Sequence, residues 1–431
     1  AEVALSMRLL IKNGRVIDPA AGVDGTLDIL IEGERIADIR PRVEAAETQV
    51  IDATGLIVAP GFIDMHTHVR EPGQEFKEDI RTASLAAARG GFTSICAMPN
   101  TRPANDSPAV TAHILSKARE KAVVNVYPIA ALTKNLAGEE LAPMEELLAA
   151  GALAFSDDGR CIQSSRLMLD ALERARSLDA LVIDHCEDTS LSGDGVMNQG
   201  EVSRRLGLRG IPAAAEEVMV SRDVILARTA GARVHVAHVS TRGAVKIIEA
   251  ARRSDIRVTA EATPHHLVLS DEALESQDPN LKVNPPLRSP ADVQALREAV
   301  ADGGIDVLAT DHAPHAPEEK ASGFDLAPFG IDGLETAVAV LLDRLVSRNV
   351  VSLGRFIEMW SSAPARILGM RNKGRLAVGA DADVTILDLR RATVVDVRSF
   401  ASKSRNNPFD GWRLRGAVGM TIVGGRVVYP N

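Results

Sequence analysis

From about Pro60 to Ala365, short apolar runs alternate with longer helical stretches. The runs are Gly61–His68, Thr93–Pro99, Val123–Leu132, Ala152–Asp158, Leu181–Glu187, Arg233–Ser240, Arg257–Pro264 and Asp306–Pro314. Between them lie Asp79–Gly90, Ala109–Lys121, Ser165–Leu178, Glu216–Ala230 and Thr241–Arg253, rich in Ala, Leu, Arg and Glu at helical spacing. Eight strands alternating with helices predict an α/β fold, a (β/α)8 barrel. A doubly wound open sheet is the competing arrangement. It is disfavoured because no G-x-G-x-x-G follows the first strand and because polar residues recur at most strand ends.

The two ends of the chain read differently. Arg8–Ile11 and Arg15–Ile17 flank Asn13-Gly14, a hairpin-type turn signal, and Asp28–Ile31 and Arg35–Ile39 flank Gly33-Glu34. Near the other end Asp383–Leu387 alternates, and Gly419–Val423 and Arg426–Tyr429 flank Gly424-Gly425. Both termini are therefore expected to form one small β-rich domain, from residues 7–60 and 366–431, around a barrel of residues 61–365. Ala1–Ser6, ahead of Met7, read either as a leader or as non-native residues.

Composition narrows the class. The 431 residues are 45% apolar and 25% charged, ordinary for a globular protein, but only 3% aromatic, so the core must rest on Ala, Val, Leu and Ile. A net charge of −9 excludes general nucleic-acid binding. No segment approaches ~18 consecutive apolar residues, so no membrane span is expected. Three scattered cysteines without a C-x-x-C suit a reducing compartment, here the cytoplasm.

The chemistry lies at the strand ends, where barrel enzymes build their sites. His66 and His68, two apart in an extended strand, project from one face and can reach one ion, with Phe62 and Asp64 on the same side below them. Asp158 shares a face with Ser156 and Ala154, His238 with Val236 and Val234, and Asp311 with Ala309 and Val307. With His185 this makes six ligand-type residues on five strand ends: His66, His68, Asp158, His185, His238 and Asp311. Imidazole and carboxylate without thiolate suit zinc, ahead of manganese, iron or cobalt. Six ligands exceed one tetrahedral ion, whereas two ions sharing a carboxylate and a hydroxide use them all. By the same alternation His235 faces away, packed between barrel and helices. Asp157 and His312 fall off the inner face into supporting or capping roles. His113 reads as exposed, Cys186 as a buried filler, and His265 and His266 as structural or as supports behind the ligands.

Several motifs extend this pattern. They are G-F-I-D-M-H-T-H-V-R-E-P-G at Gly61–Gly73, M-P-N-T-R-P at Met98–Pro103, F-S-D-D-G at Phe155–Gly159 and H-C-E-D at His185–Asp188. Further on come H-V-S-T at His238–Thr241, T-P-H-H-L at Thr263–Leu267, N-P-P-L-R at Asn284–Arg288, T-D-H-A-P-H at Thr310–His315 and A-P-F-G at Ala327–Gly330. In these the chain resembles the metal-dependent amidohydrolase superfamily and, within it, the bacterial type I dihydroorotases, over nearly its full length.

The resemblance implies reversible cyclisation of N-carbamoyl-L-aspartate to L-dihydroorotate in pyrimidine biosynthesis, with two zinc ions per chain. One is held by His66, His68 and Asp311, the other by His185 and His238, with Asp158 bridging. Many amidohydrolases bridge with a carbamylated lysine on the fourth strand. Ala152–Gly159 holds no lysine, which is the type I dihydroorotase pattern. In the implied mechanism a metal-bridged hydroxide attacks the ring amide carbonyl, and Asp311 passes the proton to the departing nitrogen. Substrate contacts are expected from His68, Arg70, Asn100, Asn284 and His315, and from the backbone at Phe329-Gly330. A fixed guanidinium two residues beyond the metal pair suits a carboxylated substrate. Arg102 and Arg288 lie in matching motifs but receive no direct role. A homodimer and an association with aspartate transcarbamoylase are the partners left open.

Two other functions compete. A hydantoinase or allantoinase shares barrel and metal pair but generally carries the bridging lysine and lacks the Arg70, Asn100 and His315 set. A metal-free pseudoenzyme scaffold for aspartate transcarbamoylase would have lost ligands, and this chain has all six. The segment His315–Asp332, with Pro317, Gly323, Pro328 and Gly330, reads as a lid over the site. Ser190–Pro212 is a second mobile candidate.

Overall fold

The computed structural model describes residues 8–430; Met7 and the question of Ala1–Ser6 lie outside them. Strands β1 (Arg8–Asp18), β2 (Val23–Glu32), β3 (Arg35–Arg40), β4 (Gln49–Asp52) and β5 (Ile57–Pro60) lead into the barrel. Barrel strands β6 (Phe62–Thr67), β7 (Phe92–Ala97), β8 (Asn125–Ala130), β9 (Ala154–Phe155) and β10 (Val182–Asp184) come next. A parallel pair, β11 (Met197–Asn198) and β12 (Gly210–Ile211), interrupts before barrel strands β13 (Val234–Val236), β14 (Val258–Ala262) and β15 (Val307–Leu308). The chain ends in β16 (Val384–Val394), β17 (Arg413–Val423) and β18 (Arg426–Tyr429).

The eight barrel strands pair in parallel in sequence order. The first and last meet where Thr67 bridges His312 and His68 N–H donates to His312 O at 2.9 Å, so the sheet closes. Helices such as Ile80–Arg89, Ser165–Ser177, Ala214–Ala230 and Arg242–Arg253 wrap it. Three of these four begin at capping side chains (Asp79, Ser164 and Thr241) that accept from backbone N–H groups of the first turn. Ile95, Phe155, Val182, Val234 and Val236 point outward into a layer shared with helix residues Ala83, Ala87, Met168, Val220 and Val245. Strand residues of the opposite phase, Cys96, Ile129, Ala154, Ile183 and Val307, form a separate inner cluster with Ala363 and Ile367. The low aromatic content shows here, because the helix–barrel layer is largely small and branched aliphatic.

The two chain ends share one sheet, ordered β18-β17-β16-β5-β1-β2-β3, with β4 also on β1. β5 lies parallel to β1 and antiparallel to β16, pairing Pro60 with Val384 and Ile57 with Leu387. Gly33-Glu34 and Gly424-Gly425 are two-residue turns, closing Glu32 onto Arg35 and Val423 onto Arg426. Asn13-Gly14 is not a turn. β1 runs straight through it with a bulge between Ile11 and Gly14, and the chain reverses later, after Asp18. Asn13 takes the left-handed φ of 63° that the expected turn also demanded, and a Cβ on Gly14 would stand 2.5 Å from Val58 Cγ2. A bulge and a hairpin thus draw on the same residue types.

Candidate active site

At the C-terminal ends of the barrel strands six side chains converge. His66 Nε2 lies 3.3 Å from Asp158 Oδ1 and 3.4 Å from Asp311 Oδ1, and His68 Nε2 lies 3.2 Å from Asp311 Oδ1 and 3.5 Å from Asp158 Oδ2. His185 Nδ1 and His238 Nε2 are 2.8 Å apart and each 3.8 Å from Asp158 Oδ1, so Asp158 stands between two groups of donors. All six residues are buried.

The arrangement fits divalent metal on two grounds. Four tetrahedral zinc bonds of ~2.0–2.1 Å place neighbouring donors roughly 3.3–3.4 Å apart, the spacing seen around His66 and His68. Moreover, His66 Nε2 and Asp158 Oδ1 are buried without a hydrogen-bond partner, although such atoms are otherwise almost always satisfied. Three of the four rings are also gripped from behind, as metal-binding imidazoles are. His66 Nδ1 sits 2.6 Å from Glu261 Oε1, His68 Nδ1 2.8 Å from Asn100 Oδ1, and His185 Nε2 2.9 Å from Glu187 Oε2.

Electrostatics point the same way. Burial opposes a charge on His66, but Asp158, Glu261 and Asp311 outweigh it and lift its pKa well above the ordinary value. His185 is raised to about 9, against burial, by its hydrogen bond to Glu187 and by Asp158. Burial would raise Asp311 and Glu261, yet the surrounding histidines hold both carboxylates well below their usual range. This pocket of negative charge demands cations, and protons on imidazoles answer that demand when metal does not.

Local backbone explains how these side chains arrive. Strict alternation fails at β6. Phe62 faces the helices, packed on Phe356 and Trp360, while Asp64 points to β15, accepting from Thr310 N at 3.1 Å and Thr310 Oγ1 at 2.5 Å. Register shifts between Phe62 and Ile63 and between Asp64 and Thr67 break the expected common face. Asp64 thereby clamps the strands carrying His66 and Asp311. Alternation also misassigned β13. Val234 and Val236 face the helices, and it is His235 that turns inward, with Nε2 3.0 Å from Glu261 Oε2 and Nδ1 2.8 Å from Thr259 Oγ1. His238 reaches the site because the strand has ended and its φ of 29° redirects the chain. Asp157 accepts from Leu132 N, Thr133 N and Thr133 Oγ1, and His312 lies between Glu78 and Gly333 N, both supporting neighbouring loops. His113 is exposed, His266 ties Thr263 to Pro285 O, and Cys186 is buried between Asp184 and Asp223.

A cavity of about 210 Å³ opens on these ligands, lined also by Arg70, Asn100, Asn284, His315, Phe329 and Gly330. It suits a ligand smaller than drug size. Arg70 is 8% exposed and donates from Nε to Pro314 O at 3.1 Å; among the described residues no carboxylate lies in ion-pair contact with it. Burial lowers it to about 10, so it remains a cation at neutral pH. Asn100 uses only its oxygen on His68, leaving its amide N–H groups, and Asn284 uses Nδ2 on Glu187 at 2.8 Å, leaving its oxygen. His315 is more committed than expected. Burial and the nearby Arg70, Lys77 and Lys320 hold it neutral, at about 2. Its Nε2–H donates to Phe329 O at 2.8 Å, and Nδ1 accepts from Lys77 at 3.4 Å. Contact with a substrate therefore requires an exchange of the Phe329 bond. Gly330, at φ 144°, packs so closely that a Cβ would meet Ala313 O at 2.7 Å.

The expected lid is pinned rather than loose: Lys320 donates to Pro279 O and Pro328 O at 2.8 Å, and Lys282 to Asp325 O at 3.0 Å. Ser190–Pro212 contains two short helices and the β11–β12 pair, fastened by Arg288 to Asn198 Oδ1 and Ile211 O.

Comparison with known proteins decides between amidohydrolase families. A family model described as Dihydro-orotase-like matches residues 55–244. The dihydroorotase of Syntrophus aciditrophicus strain SB is 51% identical over 425 residues, spanning 98% of this chain and 99% of that one. That of Pelotomaculum thermopropionicum is 53% identical over 422 residues, spanning 98% of each. The chain belongs to the dihydroorotase family. Related folds extend to the L-hydantoinase (dihydropyrimidinase) of Arthrobacter aurescens, with TM-score 0.89 and 28% identity over 97% of this chain and 95% of that one. The dihydropyrimidinase of Brevibacillus agri NCHU1002 gives 0.86 and 28% over 98% and 95%.

Membership of this family makes the supporting residues the more informative part of the site. Glu261 went unread in the sequence, although a lone carboxylate in the apolar run of β14 was a usable signal. Glu187 stood inside H-C-E-D, two positions from His185, the same spacing as the first histidine pair. Asn406, whose side chain bonds to Ala313 O, Gly330 O and His315 N beside the cavity, carried no local signal at all. No helix among the described residues is long and apolar enough to cross a membrane.

Proposed function

We propose that this chain is a dihydroorotase that reversibly closes N-carbamoyl-L-aspartate to L-dihydroorotate, with two zinc ions per chain. The observation that carries this reading is the buried, carboxylate-free Arg70 facing the histidine–aspartate cluster across one small cavity. A ring amide at the cluster and a carboxylate at Arg70 describe such a substrate, and neutral hydantoin would leave the guanidinium unanswered. His66, His68 and Asp311 would hold one zinc, His185 and His238 the other, with Asp158 between. When bound, the pair polarises a carbonyl and supplies hydroxide near neutral pH.

The rest is the work of the protein. Arg70 and the amide of Asn100 take the carboxylate, and the oxygen of Asn284 is free to accept from a ring or ureido N–H. Asp311, whose carboxylate is held ionised, accepts a proton during ring opening and returns it to the departing nitrogen; in ring closure it runs in reverse. Glu261 and Glu187 keep His66 and His185 oriented. The buried free thiols of Cys96, Cys161 and Cys186 suit a reducing compartment, and we place the enzyme in the cytoplasm. The test is to measure zinc per chain and turnover of dihydroorotate, hydantoin and allantoin on one preparation. Two zincs with turnover confined to dihydroorotate is the expected result. Preference for hydantoin would refute the assignment.

A further inference from the structure

Behind the substrate wall runs a polar segment, Ser402–Asn407, from far along the chain. Asn406 is 2% exposed, and its side chain is spent wholly on backbone groups of that wall. Its Nδ2 donates to Gly330 O at 2.9 Å and to Ala313 O at 3.1 Å, and its Oδ1 accepts from His315 N at 3.2 Å. Ala313 and His315 follow Asp311, whereas Gly330 belongs to the adjoining Phe329–Ile331 stretch, where Ala313 N donates to Ile331 O at 2.9 Å and His315 Nε2 to Phe329 O at 2.8 Å. The Asn406 amide adds a side-chain tie between these two halves of the wall, reaching both at once. The segment cannot easily yield, because its neighbours are tied down as well. Ser404 Oγ donates to Asp332 Oδ2 and Asn407 Nδ2 to Asp332 O, each at 2.8 Å, and Ser402 Oγ donates to Glu78.

His315 and the Phe329-Gly330 turn line the same cavity as Arg70. Displacing them would leave the metal ligands alone, since Asn406 makes no hydrogen bond to any of the six. We infer that Asn406 is a positioning residue for the substrate's carboxylate end, holding His315 and Gly330 in register with Arg70. This rests on the dihydroorotase reading. The tie reaches groups placed at the substrate's carboxylate end and none of the six metal ligands, so losing it should act on substrate binding more than on the chemical step.

The experiment is steady-state hydrolysis of L-dihydroorotate by wild type, Asn406→Ser, His315→Ala and the double variant, with zinc per chain and thermal melting recorded for each. Asn406→Ser should raise KM by about 10-fold with kcat within about 3-fold and zinc content unchanged. Because part of its effect runs through the His315 side chain and part through Gly330, the two substitutions should be clearly less than additive in the double variant, where a merely structural lesion would add in full. Should Asn406→Ser not fold, Asn406→Asp reads the same KM, since it keeps the acceptor for His315 N and the volume but lacks both donors. An unchanged KM, or full additivity with His315→Ala, overturns the inference while leaving the enzyme's identity intact. A wild type that does not turn over dihydroorotate sinks both.

Discussion

Replacing Glu261 by glutamine removes one buried charge and almost nothing else. Oε1 accepts from His66 Nδ1 at 2.6 Å and from His238 N at 3.1 Å, and Oε2 meets His235 Nε2 at 3.0 Å. A glutamine of the same shape keeps its oxygen on the first two. Its nitrogen can donate to His235 Nε2, provided the His235 proton moves to Nδ1 and is given to Thr259 Oγ1, 2.8 Å away. The number of bonds is preserved and the charge assistance is lost, which makes each about half as strong. Carboxylates that orient metal-bound imidazoles are worth about 10–100-fold in metal affinity, or roughly 1.4–2.7 kcal/mol. The larger effect belongs to the site built on His66, whose ring Glu261 holds, while the other site feels only the weaker bond to the His238 backbone N–H. Metal-depleted Glu261→Gln, titrated with zinc against a chelator of known affinity, should show one phase shifted by that amount and the other shifted less. Glu187→Gln should shift the opposite phase, through His185. A folded Glu261→Gln with both phases within about 3-fold of wild type would show that Glu261 only fills the barrel.

Three further outcomes are expected. Asp311→Asn should retain part of its zinc yet lose at least about 10³-fold in turnover; near-normal activity would remove Asp311 from proton transfer. Arg70→Gln should raise KM for dihydroorotate roughly 10–100-fold, the worth of a buried hydrogen bond to a charge; an unchanged KM would mean that the carboxylate binds elsewhere. In metal-depleted protein His185 is raised to about 9 and His66 well above its ordinary value. Stability from a raised imidazole is complete below its unfolded pKa of ~6.5 and is lost as pH climbs through the folded value. The metal-free melting temperature should therefore fall by roughly 5 °C between pH 7 and 9.5. Zinc-loaded protein should not follow it, and parallel curves would contradict this account.

Where the sequence reading succeeded, it relied on local regularity. Asp158 and His185 continue the inward phase of Ala154 and Ile183, and both reach the cluster. Where it failed, a local departure intervened. One register shift in β6 separates Phe62 from Asp64 and a second follows Asp64, and the end of β13 lets His238 turn inward while His235 drops below it. The Asn13-Gly14 signal was genuine, but it marked a bulge.

The chain's own pattern settled the eight barrel strands and their alternation with helices, which ends of them carry chemistry, and which side chains are suited to metal. Those are one-dimensional properties, set by periodicity and residue type. What needed three dimensions was the support around the site. Glu261 serves His66 from 195 positions away and Asn406 serves His315 from 91. Contacts of that range leave no periodic trace, because a hydrogen bond constrains atoms in space and places no condition on the residues between. Charge compensation is likewise a tertiary property: His66, His185, Asp158, Asp311, the two flanking glutamates and Arg70 acquire their shifted pKa values only when burial strips water from all of them together.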